Sequence, residues 1–307
     1  MKSSRITPFN MIAVAGLALA VTACDSNDSA STGSLSVGVT DAPVDTAQKV
    51  IVEFSGVEIK PANGESISFD FTERCTADPA FCQIDLLTLT NGVSQQLLDD
   101  ETVPAGQYNW MRLMVNAEPI TKDSYIVIND KEFELSIPSG AQTGLKLNRG
   151  FVVPAGGAAD FTIDFDLRKS VHDPVGTSDY LLRPTLRIVD NAEIGTLSGS
   201  VDPSFYDAAG GTCTGAVYVF EGDVTDPDDV DGGLVDPITT AIVPNDGVYN
   251  YTVGFLSEGD YRVAFTCDAS ADAPEVNDDN ATVSFLSTAI VSITADGTTT
   301  YNFQPLP

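Results

Sequence analysis

Asp223, Asp226, Asp228, Asp229 and Asp231 crowd into the segment DVTDPDDVDGG at 223–233. Hard cations such as calcium are held by several oxygens from one loop, so these five carboxylates are the candidate metal ligands. Calcium is the one cofactor the chain suggests. The spacing departs from an EF-hand, because placing Gly232 at the turn position puts Pro227 where the first ligand belongs. A solvated acidic loop is the competing reading. A second acidic stretch, EVNDDN at 275–280, would join the first only if the fold brought both loops to one end. Hydrolytic chemistry has less to work with. A nucleophile needs a neighbouring base, and His172, the single histidine, stands in SVHDPVG with no G-x-S-x-G anywhere, which reads as a surface loop. Paired carboxylates can cleave glycosidic bonds, yet in a chain with 44 acids chance pairs abound. No catalytic residue is assigned and the expectation is a protein that is not an enzyme.

Bases are scarce enough to be informative. Arg112, Lys146 and Arg183 sit within or beside apolar strand patterns, and Asp41 opens a turn in TDAP. Each base is either an ion-pair partner or a ligand for an anionic group, and the pair is the expected role. Trp110 and Tyr108 share a strand face by simple alternation, as core residues or as a sugar-stacking platform.

The N-terminus carries chemistry of another kind. Lys2 and Arg5 precede an apolar run from Met11 to Val21, about half the ~20 residues a spanning helix needs, and small residues follow. Val21-Thr22-Ala23-Cys24 resembles the lipobox of bacterial lipoproteins. The resemblance implies cleavage before Cys24, a lipid on its thiol, and a membrane partner held through that lipid with no spanning segment. Residues 1–23 are then a signal peptide, and 24–33, small and polar, a flexible tether. The expected location is the cell envelope, at the periplasmic face of a membrane or at the outer-membrane surface.

In that oxidising compartment the remaining Cys75, Cys82, Cys213 and Cys267 are expected as disulfides. Three connectivities are possible, and position favours Cys75 with Cys82 and Cys213 with Cys267. Thiolate zinc is disfavoured by the lack of C-x-x-C and by the lone histidine. The net charge of −29 argues against nucleic acid as a partner. The asymmetry is pronounced: residues 196–307 contain Arg262 as their only base.

These residues need a scaffold, and the alternation of apolar and polar side chains specifies one. KVIVEFSGVEIK, SISFDF, YNWMRLMV and ADFTIDFDLRK have period two, which marks half-buried strands. In the last, Phe161, Ile163, Phe165 and Leu167 should face the core and Thr162, Asp164 and Asp166 water. PANGE at 61–65 fits a hairpin turn. VSQQLLDD at 93–100 is the one plausible short helix. Strands at short spacing with little helix point to an all-β chain of two β-sandwich domains in series, at 34–192 and 193–307, after the signal peptide and tether.

The segments GSLSVGVTDAPVDTAQKVIVEFSGVEI, VPAGQYNWMRLMV, SGAQTGLKLNRGF and DYLLRPTLRIV resemble the DUF4382 domain of exported bacterial proteins. That resemblance implies no activity and carries over no catalytic residues. In the second unit, Gly259, Tyr261 and Val263 of FLSEGDYRVAFTC are similar to the turn and strand of carboxypeptidase regulatory-like and transthyretin-like modules, which implies a spacer or binding unit. The leading expectation is a non-enzymatic envelope lipoprotein that binds or supports an envelope protein or glycan. A calcium-dependent adhesive or glycan-binding surface protein and an envelope glycan hydrolase are the competitors. The hydrolase requires a concave site with two carboxylates of shifted pKa.

Overall fold

The structure, a computed structural model, describes residues 31–42, 47–116, 123–138, 140–174, 179–210, 212–233, 235–272 and 283–305. Cys24, the signal peptide, nearly all of the tether and the acidic stretch 275–280 lie outside the described residues. The chain is all-β, with a few helices of four to six residues.

Two sheets enclose the first core. One has the order Leu186–Asp190, Ala158–Asp166, Thr32–Ala42, Gln95–Pro104. Its centre is a parallel pair, with Val37 opposite Phe161 and Val39 opposite Ile163. The other is built on two long strands, Lys49–Pro61 and Gly106–Val115, paired antiparallel. Its further strands include Ile67–Asp70, Leu145–Leu147 and Phe151–Val153. The inward residues of both sheets, among them Val37, Ile163, Ile59 and Met111, form one apolar cluster. Phe54 and Phe165 meet edge to face across it, with ring centroids 6.0 Å apart. PANGE makes the expected hairpin, which places Ile59 opposite Ile67.

From Ile194–Ser200 onward, pairing moves to two new sheets. One has the order Asn250–Ser257, Ile194–Ser200, Thr298–Thr300, and the other Thr239–Val243, Gly215–Glu221, Gly259–Thr266, Phe285–Ile293. Leu197, Val217, Val263, Phe265 and Phe303 belong to the core between them. A third apolar cluster lies on the opposite face of Gly215–Glu221, where Ala216, Tyr218 and Phe220 are covered by Val224, Val230 and Val235 of the acidic loop. This strand is therefore buried on both faces. The two halves pack into one compact unit over Ser31–Pro307.

Two expectations need correction. VSQQLLDD is strand, since Gln95–Pro104 pairs antiparallel with Thr32–Ala42. Irregularities in that pairing set the four residues Leu98 to Glu101 against the three from Leu35 to Val37, and Asp100 takes φ 55°. Leu97 and Leu98 are consequently both buried, and the broken alternation mimics a helical pattern. The second correction concerns Thr162 and Asp164, which are 1% and 7% exposed and do not face water. Their alternation is as expected, but at Asp164 the face meets Thr239, Thr240 and Ala241 of the second half.

Candidate functional site

Three polar constellations stand out. The first is the seam between the two halves. Leu167–Ser170 forms one helical turn, capped by the Asp166 side chain, which accepts from the Lys169 amide. That turn aims two adjacent bases at the second half. Arg168 is buried, and its Nη1 donates to the Tyr218 hydroxyl at 2.5 Å and to Asp272 Oδ2 at 2.7 Å. The Tyr218 hydroxyl donates to the same carboxylate oxygen at 2.5 Å. Burial raises the Tyr218 pKa, with the Arg168 charge opposing the shift. Lys169 Nζ donates to the Pro237 carbonyl at 2.7 Å and pairs with Asp236 at 3.1 Å. Gly92 and Gly254 bring the backbones together here, and a Cβ on Gly254 would lie 2.6 Å from the Gly92 Cα.

Beside these contacts is a cavity of about 230 Å³ lined by Asp164, Asp166, Lys169, Arg187, Asp236 and neighbouring apolar atoms. Burial pushes the Asp166 carboxyl up to about 6, against the Lys169 charge, with Asp164 and Asp236 adding to the rise. The Asp164 carboxyl is raised by burial as well, with Arg187 opposing. Two shifted carboxylates in a concavity are what the hydrolytic reading asks for. Each already has a cation, however: Arg187 Nη2 lies 2.5 Å from Asp164 and Lys169 Nζ 3.8 Å from Asp166. Of these groups Lys169 crosses to the second half, through Asp236 and the Pro237 carbonyl, while Arg187 and Asp164 pair within the first.

The second constellation is the acidic loop. Asp223 Oδ1 accepts from Arg262 Nη2 at 2.5 Å, and Arg262 Nε donates to the Val224 carbonyl at 2.8 Å. The only base of the second half thus clamps the loop. Asp228 accepts from the Asp229 amide at 3.1 Å and Asp231 from the Gly233 amide at 2.7 Å. Asp236 accepts from the Gly232 and Gly233 amides at 3.1 and 3.2 Å. Asp226 is exposed, whereas Asp229 and Asp231 are buried. Burial raises the Asp231 carboxyl, with the Asp228 and Asp236 charges adding to it. Among the described residues no three His, Cys, Asp or Glu side chains form a group that could hold a metal ion. The visible work of the loop is to hold its own turns and to cover the sheet with Val224, Val230 and Val235.

The third lies on the outer face of Lys49–Pro61 and Gly106–Val115. Tyr108 and Trp110 do not share a face, because a register shift falls between Lys60 and Pro61. Tyr108 turns into the core, 1% exposed, and stacks on Phe151 at 4.9 Å. Past the irregularity Met111 and Leu113 point inward, leaving Trp110 and Arg112 outside. Lys60 stands opposite Trp110, Glu58 opposite Arg112, and Lys146 opposite Arg112 on the other flank. Arg112 Cζ lies 5.3 Å and Lys146 Nζ 4.8 Å from the Trp110 ring centroid. Arg112 is an ion-pair partner as expected: its Nε donates to Glu58 at 2.8 Å, its Nη2 bonds the same oxygen, and its Nη1 donates to the Thr143 carbonyl.

Cys75 is bonded to Cys82 and Cys213 to Cys267. Asp41 is buried and lines a water-sized cleft at the seam with Thr40, Asp164, Thr239 and Thr240. Arg183 is exposed. His172 lies on the two-residue strand Val171–His172, opposite Leu181, and not in a loop. Sequence reasoning passed over Arg168, Tyr218 and Asp272, which hold the seam, and Arg187, which pairs with Asp164 beside it. The available signal was the adjacency of Arg168 and Lys169 to an amphipathic strand in a chain poor in bases.

Residues 32–184 match the family model described as Domain of unknown function (DUF4382). This stretch is a DUF4382 domain. The Trp110 face lies wholly inside the DUF4382 domain, whereas the edge strand Leu186–Asp190 that completes its first sheet falls just past the matched residues. No curated protein compared with the chain matches it. Among solved structures, the Bacillus anthracis TIE protein is 10% identical over 90% of this chain and 34% of its own, with a TM-score of 0.21. A leucine-rich repeat protein from Bacteroides thetaiotaomicron is 12% identical over 90% and 26%, with a TM-score of 0.18. GBS52, the minor pilin of Streptococcus agalactiae, is 9% identical over 89% and 96%, with a TM-score of 0.21. The chain spans about a third and a quarter of the first two proteins. At these TM-scores the likenesses carry no argument about this chain.

Proposed function

We propose that this protein is a lipid-anchored component of the cell envelope whose DUF4382 domain and following sandwich act together as a stiff, non-enzymatic arm that binds or supports another envelope molecule. The observation that carries this reading is the seam. Domains joined by a flexible linker move independently unless their interface is large or strongly held. Here Arg168, Tyr218 and Asp272 are buried against one another and Lys169 is bonded across the junction. Breaking a buried pair of this kind costs about 3–5 kcal/mol, enough to keep two halves in one orientation. The shifted carboxylates are already engaged by cations, Asp164 by Arg187 and Asp166 by Lys169, which disfavours hydrolysis. Two disulfides suit an exported location. The likeness of the second half to carboxypeptidase regulatory-like or transthyretin-like modules belongs to the same proposal. So does the anchor, which rests on Val21-Thr22-Ala23-Cys24. Among the described residues no helix is long and apolar enough to cross a membrane.

Fractionation of bacteria producing the full chain tests the reading. Wild type should partition into the detergent phase as a shortened, lipidated species, and Cys24→Ala should remain unprocessed or become soluble. A Cys24→Ala protein of mature size in the detergent phase would overturn the anchor.

A further inference from the structure

The DUF4382 domain concentrates positive charge at one place on a chain whose net charge is −29. Lys60, Arg112 and Lys146 gather around Trp110 on the outer face of three paired strands, where Glu58 is the carboxylate opposite Arg112. Glu58 is matched by Arg112. The two lysines are not: Lys60 Nζ donates only to the Gly64 carbonyl, and Lys146 Nζ lies over the Trp110 ring, with no ion pair to either among the described residues. Between them sits Trp110, partly exposed and the only tryptophan in the chain.

We propose that this face binds acidic polysaccharide, with the pyranose ring of a uronic acid packed on Trp110 and its carboxylate taken by Lys60 or Lys146. The proposal deepens the envelope-binding reading by naming a ligand class. An indole offers a flat apolar surface to the C–H face of a sugar ring, and its preference for planar partners makes it an orienting platform. Lys60 stands directly across from Trp110 on one flanking strand, and Lys146, opposite Arg112 on the other, reaches diagonally to bring its Nζ 4.8 Å from the ring centroid. A ring stacked on the indole therefore has a cation on either side, whichever way its carboxylate points. Arg112 is a positioning residue, tied to Glu58 and Thr143 and set against the ring. The acidic remainder of the molecule does not cancel the patch, because charges beyond about 8 Å are screened at physiological ionic strength. Nucleic acid fits less well, since its binding needs a longer basic track than two uncommitted lysines.

Because Trp110 is the sole tryptophan, its fluorescence reports on this face alone. The full chain, purified in detergent, is titrated with oligogalacturonate, with neutral dextran, polyglutamate and single-stranded DNA as comparisons. Oligogalacturonate should change Trp110 emission saturably. Lys60→Ala combined with Lys146→Ala should weaken binding about tenfold or more, which is 1.4 kcal/mol per tenfold. Trp110→Ala, followed by calorimetry, should weaken it about as much. No emission change, or an unaltered affinity in the double lysine variant, overturns the proposal. Equal binding of dextran would show that the cations are idle, and equal binding of polyglutamate or DNA that the sugar ring is not recognised. Either outcome also overturns it. The titration does not depend on the anchor, so it and the fractionation can fail independently.

Discussion

Replacing Asp166 by Asn should change how stability depends on pH. The Asp166 carboxyl is raised to about 6, mainly because the seam buries it. In the unfolded chain it titrates near its ordinary value of 3.8. A carboxyl with a raised folded pKa holds its proton more tightly in the folded state, so its contribution favours folding at low pH. That contribution is lost as pH rises through about 6. A shift of about 2 units corresponds to about 3 kcal/mol between the two limits. Asn mimics the protonated form and can still accept from the Lys169 amide, which the carboxylate caps at 3.2 Å. Lys169 would lose one partner at 3.8 Å while keeping Asp236 and the Pro237 carbonyl, a loss of at most about 1 kcal/mol. The variant should therefore be more stable than wild type by about 2–3 kcal/mol near pH 7.5 and nearly equal to it near pH 4. Urea denaturation followed by far-UV circular dichroism at several pH values measures this. The large net charge makes both proteins respond to pH, but their difference isolates position 166. A difference that stays constant across the range would refute the reasoning.

Two further outcomes follow from the seam and the disulfides. Arg168→Met should destabilise by about 3–5 kcal/mol because it leaves Asp272 buried without its cation, and should split one calorimetric transition into two. Adding Asp272→Asn should recover much of that loss, and an unchanged single transition in the Met variant would show that the pair does not hold the halves together. Paired Cys→Ser substitutions should cost about 4 kcal/mol at Cys213 and Cys267, which close 54 residues, against about 2.4 kcal/mol at Cys75 and Cys82, which close 7. The reverse order in chemical denaturation would count against loop closure as the source.

What could be read before folding was whatever depends on neighbours along the chain. Period two in ADFTIDFDL places Phe161, Ile163 and Phe165 inward, and the short CTADPAFC spacing pairs Cys75 with Cys82. What could not be read depended on irregularities or on distant partners. One register shift near Pro61 sends Tyr108 and Trp110 to different faces, and another near Asp100 buries Leu97 beside Leu98. Thr162 and Asp164 have the polarity of a wet surface, but the surface they meet is protein with matching polar groups, so composition gives no sign of burial. TTAIV at 239–243 is a strand without apolar alternation, because its threonines are buried at the same seam.

The place of Thr32–Ala42 has a mechanical consequence. This strand is the first described element, and it lies between Ala158–Asp166 and Gln95–Pro104, hydrogen-bonded on both sides. Tension entering at the N-terminus runs along its axis, across bonds that lie roughly at right angles to the pull. Two ladders are then loaded in shear and must yield together, whereas an edge strand pulled sideways would unzip one bond at a time. The proposed tether would enter the domain at this doubly bonded strand.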